Sequence, residues 1–227
     1  MSDPGALPPE LAAVRALVYR TFATEGRPPS IAELGRLLGR SSQAIRAALA
    51  LLHAQHLLVL APDGDAIRMA HPFSAAPMGF VVQAGDERWW GGCTWDSFGI
   101  AAALERSVRI DTTCPACMAD LRFECGPTSA PEPMLVARIP LPAARWWEDV
   151  VWTCSNIRTF CSAAHAIDHA ARQGRALGQL VPIQQLWRLA GPWYGDRLLP
   201  DCAPRPRAAS QAILASVGLT GGFWQLP

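Results

Sequence analysis

Apolar residues at Leu11, Val14, Leu17 and Val18 fall at helical spacing and predict an amphipathic helix over residues 10–22. Pro28-Pro29 interrupts the chain, and Ser30 with Glu33 three positions on forms a capping-box pattern that opens a second helix over 31–38. The turn Gly39-Arg40-Ser41 and a third run, 42–53, complete a helix-turn-helix. Two short extended runs, 57–60 and 66–69, flank a Pro62-Asp63-Gly64-Asp65 turn. A helix, a helix-turn-helix and a hairpin in that order predict a winged-helix-like N-terminal module over residues 1–75.

The pattern then changes to short extended runs. Residues 72–77 read as a Pro-containing linker, and 78–83 and 88–90 as strands about the turn Gly85-Asp86. Gly91-Gly92 ends the second run, and Cys93 to Glu105 is helix-forming in its second half, which places Cys93 at a helix start. Residues 107–112, 121–125 and 134–141 predict three more strands, and 150–153 an extended run into Cys154. A helix is expected over 163–171, a further strand or helix within 181–190, a Pro-Arg linker at 200–206 and a closing helix over 208–219. The fold class is therefore α+β: the N-terminal module, then a mixed or antiparallel sheet domain with flanking helices over residues 76–227.

Half of the 227 residues are apolar and 17% are charged, which excludes a disordered chain. All the basic residues are Arg, so mechanisms that need a Schiff-base or phosphate-loop lysine are excluded. Net charge is +1, and residues 1–72 hold seven Arg against six acidic residues. The second helix of the helix-turn-helix offers Ser41, Ser42, Gln43 and Arg46 to reach bases, but the module lacks the dense positive charge that gives DNA binders their affinity, and a scaffolding role is favoured. Residues 1–10 carry no basic start or apolar core, and the uncharged stretch 208–227 is too polar for a membrane span. A soluble, cytoplasmic protein is expected.

Seven cysteines, an odd number in a chain of this size, argue for thiol or metal chemistry over a disulfide framework. Cys93 at a helix N-terminus has exposed amides that favour the thiolate, and Asp96, three residues on, shares its face of the first turn. A structural Cys beside a helix-capping Asp is the plain alternative. Cys114-Pro115-Ala116-Cys117 has zinc-knuckle spacing without a second C-x-x-C; Cys125, Cys154 and Cys161 are irregularly spaced candidate partners, and unpaired thiols in a hairpin are the simpler reading. Cys161, His165 and His169 lie on one helix face, a second candidate metal group against the alternative of exposed histidines. Nine Trp, several beside cysteine segments, are read as core and interface packing.

Taken together, Gly92-Cys93-Thr94-Trp95-Asp96-Ser97, the preceding His71-Pro72-Phe73-Ser74, the hairpin carrying Cys114, and Trp152-Thr153-Cys154-Ser155-Asn156 with Phe160 and Ser162 resemble the alkylmercury (organomercurial) lyases of bacterial mercury resistance. The resemblance covers most of the chain. It implies carbon–mercury protonolysis to a hydrocarbon and Hg(II), with Cys93 and Cys154 holding mercury as substrate and product and Asp96 moving the proton. It implies no cofactor, release of product by low-molecular-weight thiols or a mercuric reductase, and no membrane partner. Trp95 stands where the family has a small aliphatic residue, Ser155 follows the second site cysteine, and Cys117, Cys125 and Cys161 are additional thiols. Two other functions stand beside it: a winged-helix DNA-binding regulator sensing metal through its cysteines, and a zinc-stabilised binding domain built on Cys114 and Cys117.

Overall fold

A computed structural model describes residues 7–132 and 134–227; the start of the 1–10 segment read above for a leader lies outside the described residues. The chain opens with helices α1 (Pro9–Glu25), α2 (Ile31–Leu38) and α3 (Ser42–Ala54) and a hairpin of β1 (Val59–Leu60) and β2 (Ile67–Ala70). Local chemistry sets these bounds. Ser30 Oγ accepts from the Glu33 amide while the Glu33 carboxylate accepts from the Ser30 amide, and Ser41 Oγ caps α3 by accepting from the Ala44 amide. Gly26, in the left-handed region (φ 67°), ends α1, and a Cβ there would strike the Arg88 carbonyl.

Next come β3 (Phe73–Ser74), β4 (Phe80–Ala84), β5 (Glu87–Gly91), α4 (Thr94–Leu104), β6 (Val108–Thr113), β7 (Asp120–Cys125), β8 (Val136–Ile139), α5 (Val150–Asn156), β9 (Arg158–Phe160), α6 (Ala163–Arg172), β10 (Gln179–Pro182), α7 (Ile183–Tyr194) and α8 (Arg207–Ser216). Seven strands form one sheet in the order β1-β2-β3-β5-β4-β6-β7, and three form a second, β10-β8-β9. Every pairing is antiparallel. The architecture is α+β, with helices flanking antiparallel sheets.

Two expectations need correction. The 72–77 segment is not a free linker: Phe73 pairs with Ala70 and Gly91, and Ser74 with Met69 and Trp90, which joins the first hairpin to the main sheet. Burial drives this, since Phe73 is fully buried and stacks on Phe22 at 5.7 Å. The run 150–153 is helical, not extended. Its β-branched residues favour strand, but the Asp149 carboxylate accepts from the Trp152 amide at 2.9 Å and starts α5.

One apolar cluster runs from α1–α3 through the main sheet to α7, and Cys114, Phe160 and Ala166 form a small separate one. At the centre lies α4, buried on every side from Thr94 to Ala101. It packs on α7 through Gly99, where a Cβ would overlap the Tyr194 ring and Pro72. No helix among the described residues is long and apolar enough to cross a membrane. Gly99→Ala should lower stability by about 1–3 kcal/mol, the range of core overpacking, as measured by urea unfolding; a loss under about 0.5 kcal/mol, the scale of surface substitutions, would show that α7 does not depend on this close approach.

Candidate active site

The turn between β5 and α4 sets the first half of the site. Cys93 is the N-cap of α4, in extended conformation, and its Sγ accepts from the Asp96 amide at 3.3 Å. A thiol here takes the place of the usual Ser or Asp cap. Asp96 stands on the first turn with 1% exposure. Its Oδ1 accepts from the Tyr194 hydroxyl at 2.6 Å, while its Oδ2 is buried with no hydrogen-bond partner among the described residues. Gly92 makes room for that carboxylate, since a Cβ there would lie 2.5 Å from Oδ2.

The second half comes from α5 and from the chain just before β3. Cys154 is buried on α5, with its Sγ 3.5 Å from Nε2 of His71. Ligating atoms of His71, Asp96 and Cys154 lie within 4.8 Å of one another, and Cys93 lines the same cavity. The two halves are tied by the backbone: the Thr94 amide and hydroxyl both donate to the Ile157 carbonyl at 3.1 Å, and the Thr94 and Thr159 hydroxyls are 3.0 Å apart. The three residues expected from sequence, Cys93, Asp96 and Cys154, thus converge, although they lie on two helices 58 residues apart.

The electrostatics reverse one expectation. Cys93 sits at a helix N-terminus, yet its thiol is pushed well above the ordinary range. Burial is the main cause, followed by the neighbouring Cys154 sulfur and the Asp96 charge; the Asp96 amide opposes them and loses. The thiolate is favoured at Cys154 instead. There the neighbouring Cys93 thiol and the His71 ring outweigh burial and Asp96 and hold the group below the ordinary thiol range. Burial works against the charged form of His71, but Asp96 and Cys154 overcome it and raise its pKa. Tyr194 is pushed well above the phenol range by burial and by Asp96, so it remains a donor to the carboxylate.

A cavity of about 330 Å³ opens onto these groups. Its walls are mainly apolar, with Trp95, Trp146, Trp147 and Trp193 among them. Trp95 meets Trp146, Trp193 and Tyr194 at ring-centroid distances of 5.6, 4.9 and 5.5 Å. Trp95 and Trp146 belong to the main core and line this cavity as well. Sequence reasoning did not assign His71, Tyr194 or Tyr19 to the site. The available signal was composition: the chain has only two tyrosines, and both line this cavity.

The other thiols lie elsewhere. Cys125 is buried on β7, where burial pushes it up to about 12, and Cys202 is buried near the C-terminal helix. Cys114, Cys117, Cys161 and His165 gather in a second group that shares no residue with the cavity. Of the sequence candidates for a metal group, Cys125, Cys154 and His169 are not part of it. Cys117 is exposed, so the picture of core thiols confined to a hairpin does not hold for it.

A search of curated proteins finds no matching relative. Among solved structures, the mercury-bound form of MerB2 has a similar fold, with a TM-score of 0.65 at 17% identity, covering 85% of this chain and 93% of that one. The family model "MerB: Alkylmercury lyase" matches residues 73–195, more than half of the chain and the whole segment that carries Cys93, Asp96, Cys154 and Tyr194. The chain belongs to the alkylmercury lyase family.

Proposed function

We propose that this organomercurial lyase cleaves the carbon–mercury bond with Cys154 as capturing thiolate, Cys93 as second sulfur ligand and Asp96 as proton carrier. The observation that carries the reading is the convergence, in a Trp-walled cavity, of two buried thiols, Cys154 beside His71 and Cys93 beside Asp96, and a carboxylate with one free oxygen. Mercury is soft and prefers thiolate, so the Cys154 sulfur attacks R–Hg–X, forms a sulfur–mercury bond and expels X⁻. The alkyl or aryl group rests against the aromatic walls. The Cys93 thiol then gives its proton to Asp96 Oδ2 and its sulfur bonds mercury. Added sulfur electron density loads the carbon, Asp96 delivers the proton there, and the carbon–mercury electron pair leaves as R–H. Hg(II) remains between Cys93 and Cys154. No electrons change hands, and the proton that reaches carbon is the one that left Cys93.

Tyr194 supports this cycle by holding Oδ1, so that Oδ2 alone exchanges the proton. His71 supports it by favouring the Cys154 thiolate. Residues 1–75, in winged-helix-like order, act as scaffold rather than as a DNA reader: the Tyr19 hydroxyl donates to the carbonyls of Leu57 and His71 at 3.0 and 3.1 Å and so fixes the peptide beside Cys154. The remaining residues, 76–227, form the catalytic domain. The reaction needs no cofactor. Cellular thiols or a mercuric reductase remove Hg(II), in a cytoplasmic detoxification where such thiols stay reduced.

Purified protein given phenyl- or methylmercury with excess thiol should release benzene or methane; release no greater than from a cysteine-free control across several organomercurials would sink the reading. Asp96→Asn keeps shape and polarity but carries no acid proton. It should form the mercurial adduct, seen by mass spectrometry, while turnover falls at least ~10²-fold, the scale of a lost general acid; normal turnover would place the proton elsewhere. Because His71 lowers the Cys154 pKa, His71→Asn should move the pH midpoint of Cys154 alkylation upward, followed by peptide mass spectrometry. An unmoved midpoint would mean that Cys93 alone sets the thiolate.

A further inference from the structure

The second group of ligating side chains lies at the junction of the two sheets. Cys114 follows β6 and Cys117 falls in the turn to β7, whereas Cys161 and His165 flank the start of α6, just after β9. Their sulfur and ring-nitrogen atoms lie within 4.8 Å of one another. Two of the spacings are tighter: Cys117 Sγ to Cys161 Sγ is 3.7 Å, and Cys114 Sγ to His165 Nδ1 is 3.7 Å. A tetrahedral ion with zinc–sulfur bonds of about 2.3 Å and a zinc–nitrogen bond of about 2.0–2.1 Å separates its ligands by roughly 3.6–3.8 Å. The side chains are thus spaced to surround one ion.

The backbone is arranged to hold them there. The Cys114 amide donates to the Ala119 carbonyl and the Met118 amide to the Cys114 carbonyl, each at 2.9 Å, with Met118 in the left-handed region (φ 61°). That closed turn brings both thiols of Cys114-Pro115-Ala116-Cys117 to one side. On the other flank, Ser162 Oγ caps α6 by accepting from the His165 amide at 3.2 Å, which fixes the residue that carries the imidazole. Arg172 reaches back from the far end of α6 to the Ala116 carbonyl at 3.2 Å and ties the helix to the turn. Beneath lies a small cluster of Cys114, Phe160 and Ala166, separate from the main core, with Ala116, Leu121, Val136, Cys161 and Leu180 packed partly buried against it. A cluster of this size gives modest apolar burial to lock the turn and α6 together.

We propose that Cys114, Cys117, Cys161 and His165 form a tetrahedral structural zinc site. Three thiolates and one imidazole are a donor set that zinc takes in closed sites, with every position filled by protein and none left for substrate. Binding releases the three thiol protons to solvent and involves no change of oxidation state. None of the four residues lines the active cavity, so the ion takes no part in cleavage. It clamps the β6–β7 turn to the β9–α6 junction, and β9 carries Thr159, which meets Thr94 beside Cys93.

The test is metal analysis of protein purified from zinc-containing medium without chelator. The wild-type chain should carry about one zinc. Cys93→Ser, Cys154→Ser protein, which removes the two cavity thiols, should keep it, and so should His169→Asn, one helical turn beyond the cluster. Cys161→Ser should lose at least tenfold of the metal, and His165→Cys, which rebuilds a four-thiolate set, should retain it. Cobalt substituted into the Cys93→Ser, Cys154→Ser protein gives a readout that does not depend on any cluster variant folding: strong visible bands with sulfur-to-cobalt charge transfer support the site, and the weak spectrum of octahedral cobalt overturns it. The proposal also fails if the wild type holds no zinc, if the zinc disappears with Cys93 and Cys154 instead, or if Cys117 and Cys161 are recovered as a disulfide in metal-free protein.

Discussion

A carboxylate with 1% exposure is unstable in a protein interior unless something holds it, and Asp96 is held by the hydroxyl of Tyr194 at 2.6 Å. This contact joins the first turn of α4 to the last of α7, and much else in the molecule serves it. Gly99 lets the Tyr194 ring close on α4, and Gly92 clears the space for the free oxygen. α7 is itself kept in place by the chain beyond it, where the Gln185 side-chain amide donates to the Val217 carbonyl at 2.8 Å. The asymmetry has a chemical result: one oxygen is fixed and the other is left for proton transfer.

The absence of lysine shapes how the surroundings are built. Buried basic positions are served by guanidinium forks that bridge two backbone carbonyls, a geometry an ammonium does not match. Arg15, fully buried on α1, donates to the carbonyls of Arg197 and Leu199, and so attaches the first helix to the chain just after α7. Arg138 does the same for the carbonyls of Ala176 and Leu177 ahead of β10. Through the first of these forks, α1 is tied to the segment that carries Arg197, a residue of the cavity wall.

Local chemistry was the most legible part of the sequence. Ser30 and Glu33 placed α2 at its observed bounds, and the glycines before Cys93 placed the start of α4, because caps and turns act within a few residues. Cys93, Asp96 and Cys154 were legible as a set through resemblance, and the fold brings them together. What escaped depends on distant partners. β3 is only two residues long and exists because β2 and β5 flank it. α5 reads as strand until its Asp149 cap is seen. Tyr194 joins the site across nearly a hundred residues, and no periodicity announces it. The inverted pair of thiol affinities follows from burial and from a sulfur neighbour, neither of which a helix-terminus argument contains.

In the proposed chemistry Cys93 enters as a thiol and Cys154 as a thiolate, and this has a consequence for turnover. Before reaction the sulfur pair carries one negative charge, matched to a monovalent R–Hg⁺. After reaction it carries two, matched to Hg²⁺. Each cycle therefore leaves the pocket with its electrostatics better suited to what it has made than to what it must next accept, in an interior where charge pairing counts for more than in water. The resting site is a receptor for substrate that becomes a trap for product. Its emptying then falls to sulfur donors outside the chain, and the cell's thiol supply becomes a kinetic partner of the fold.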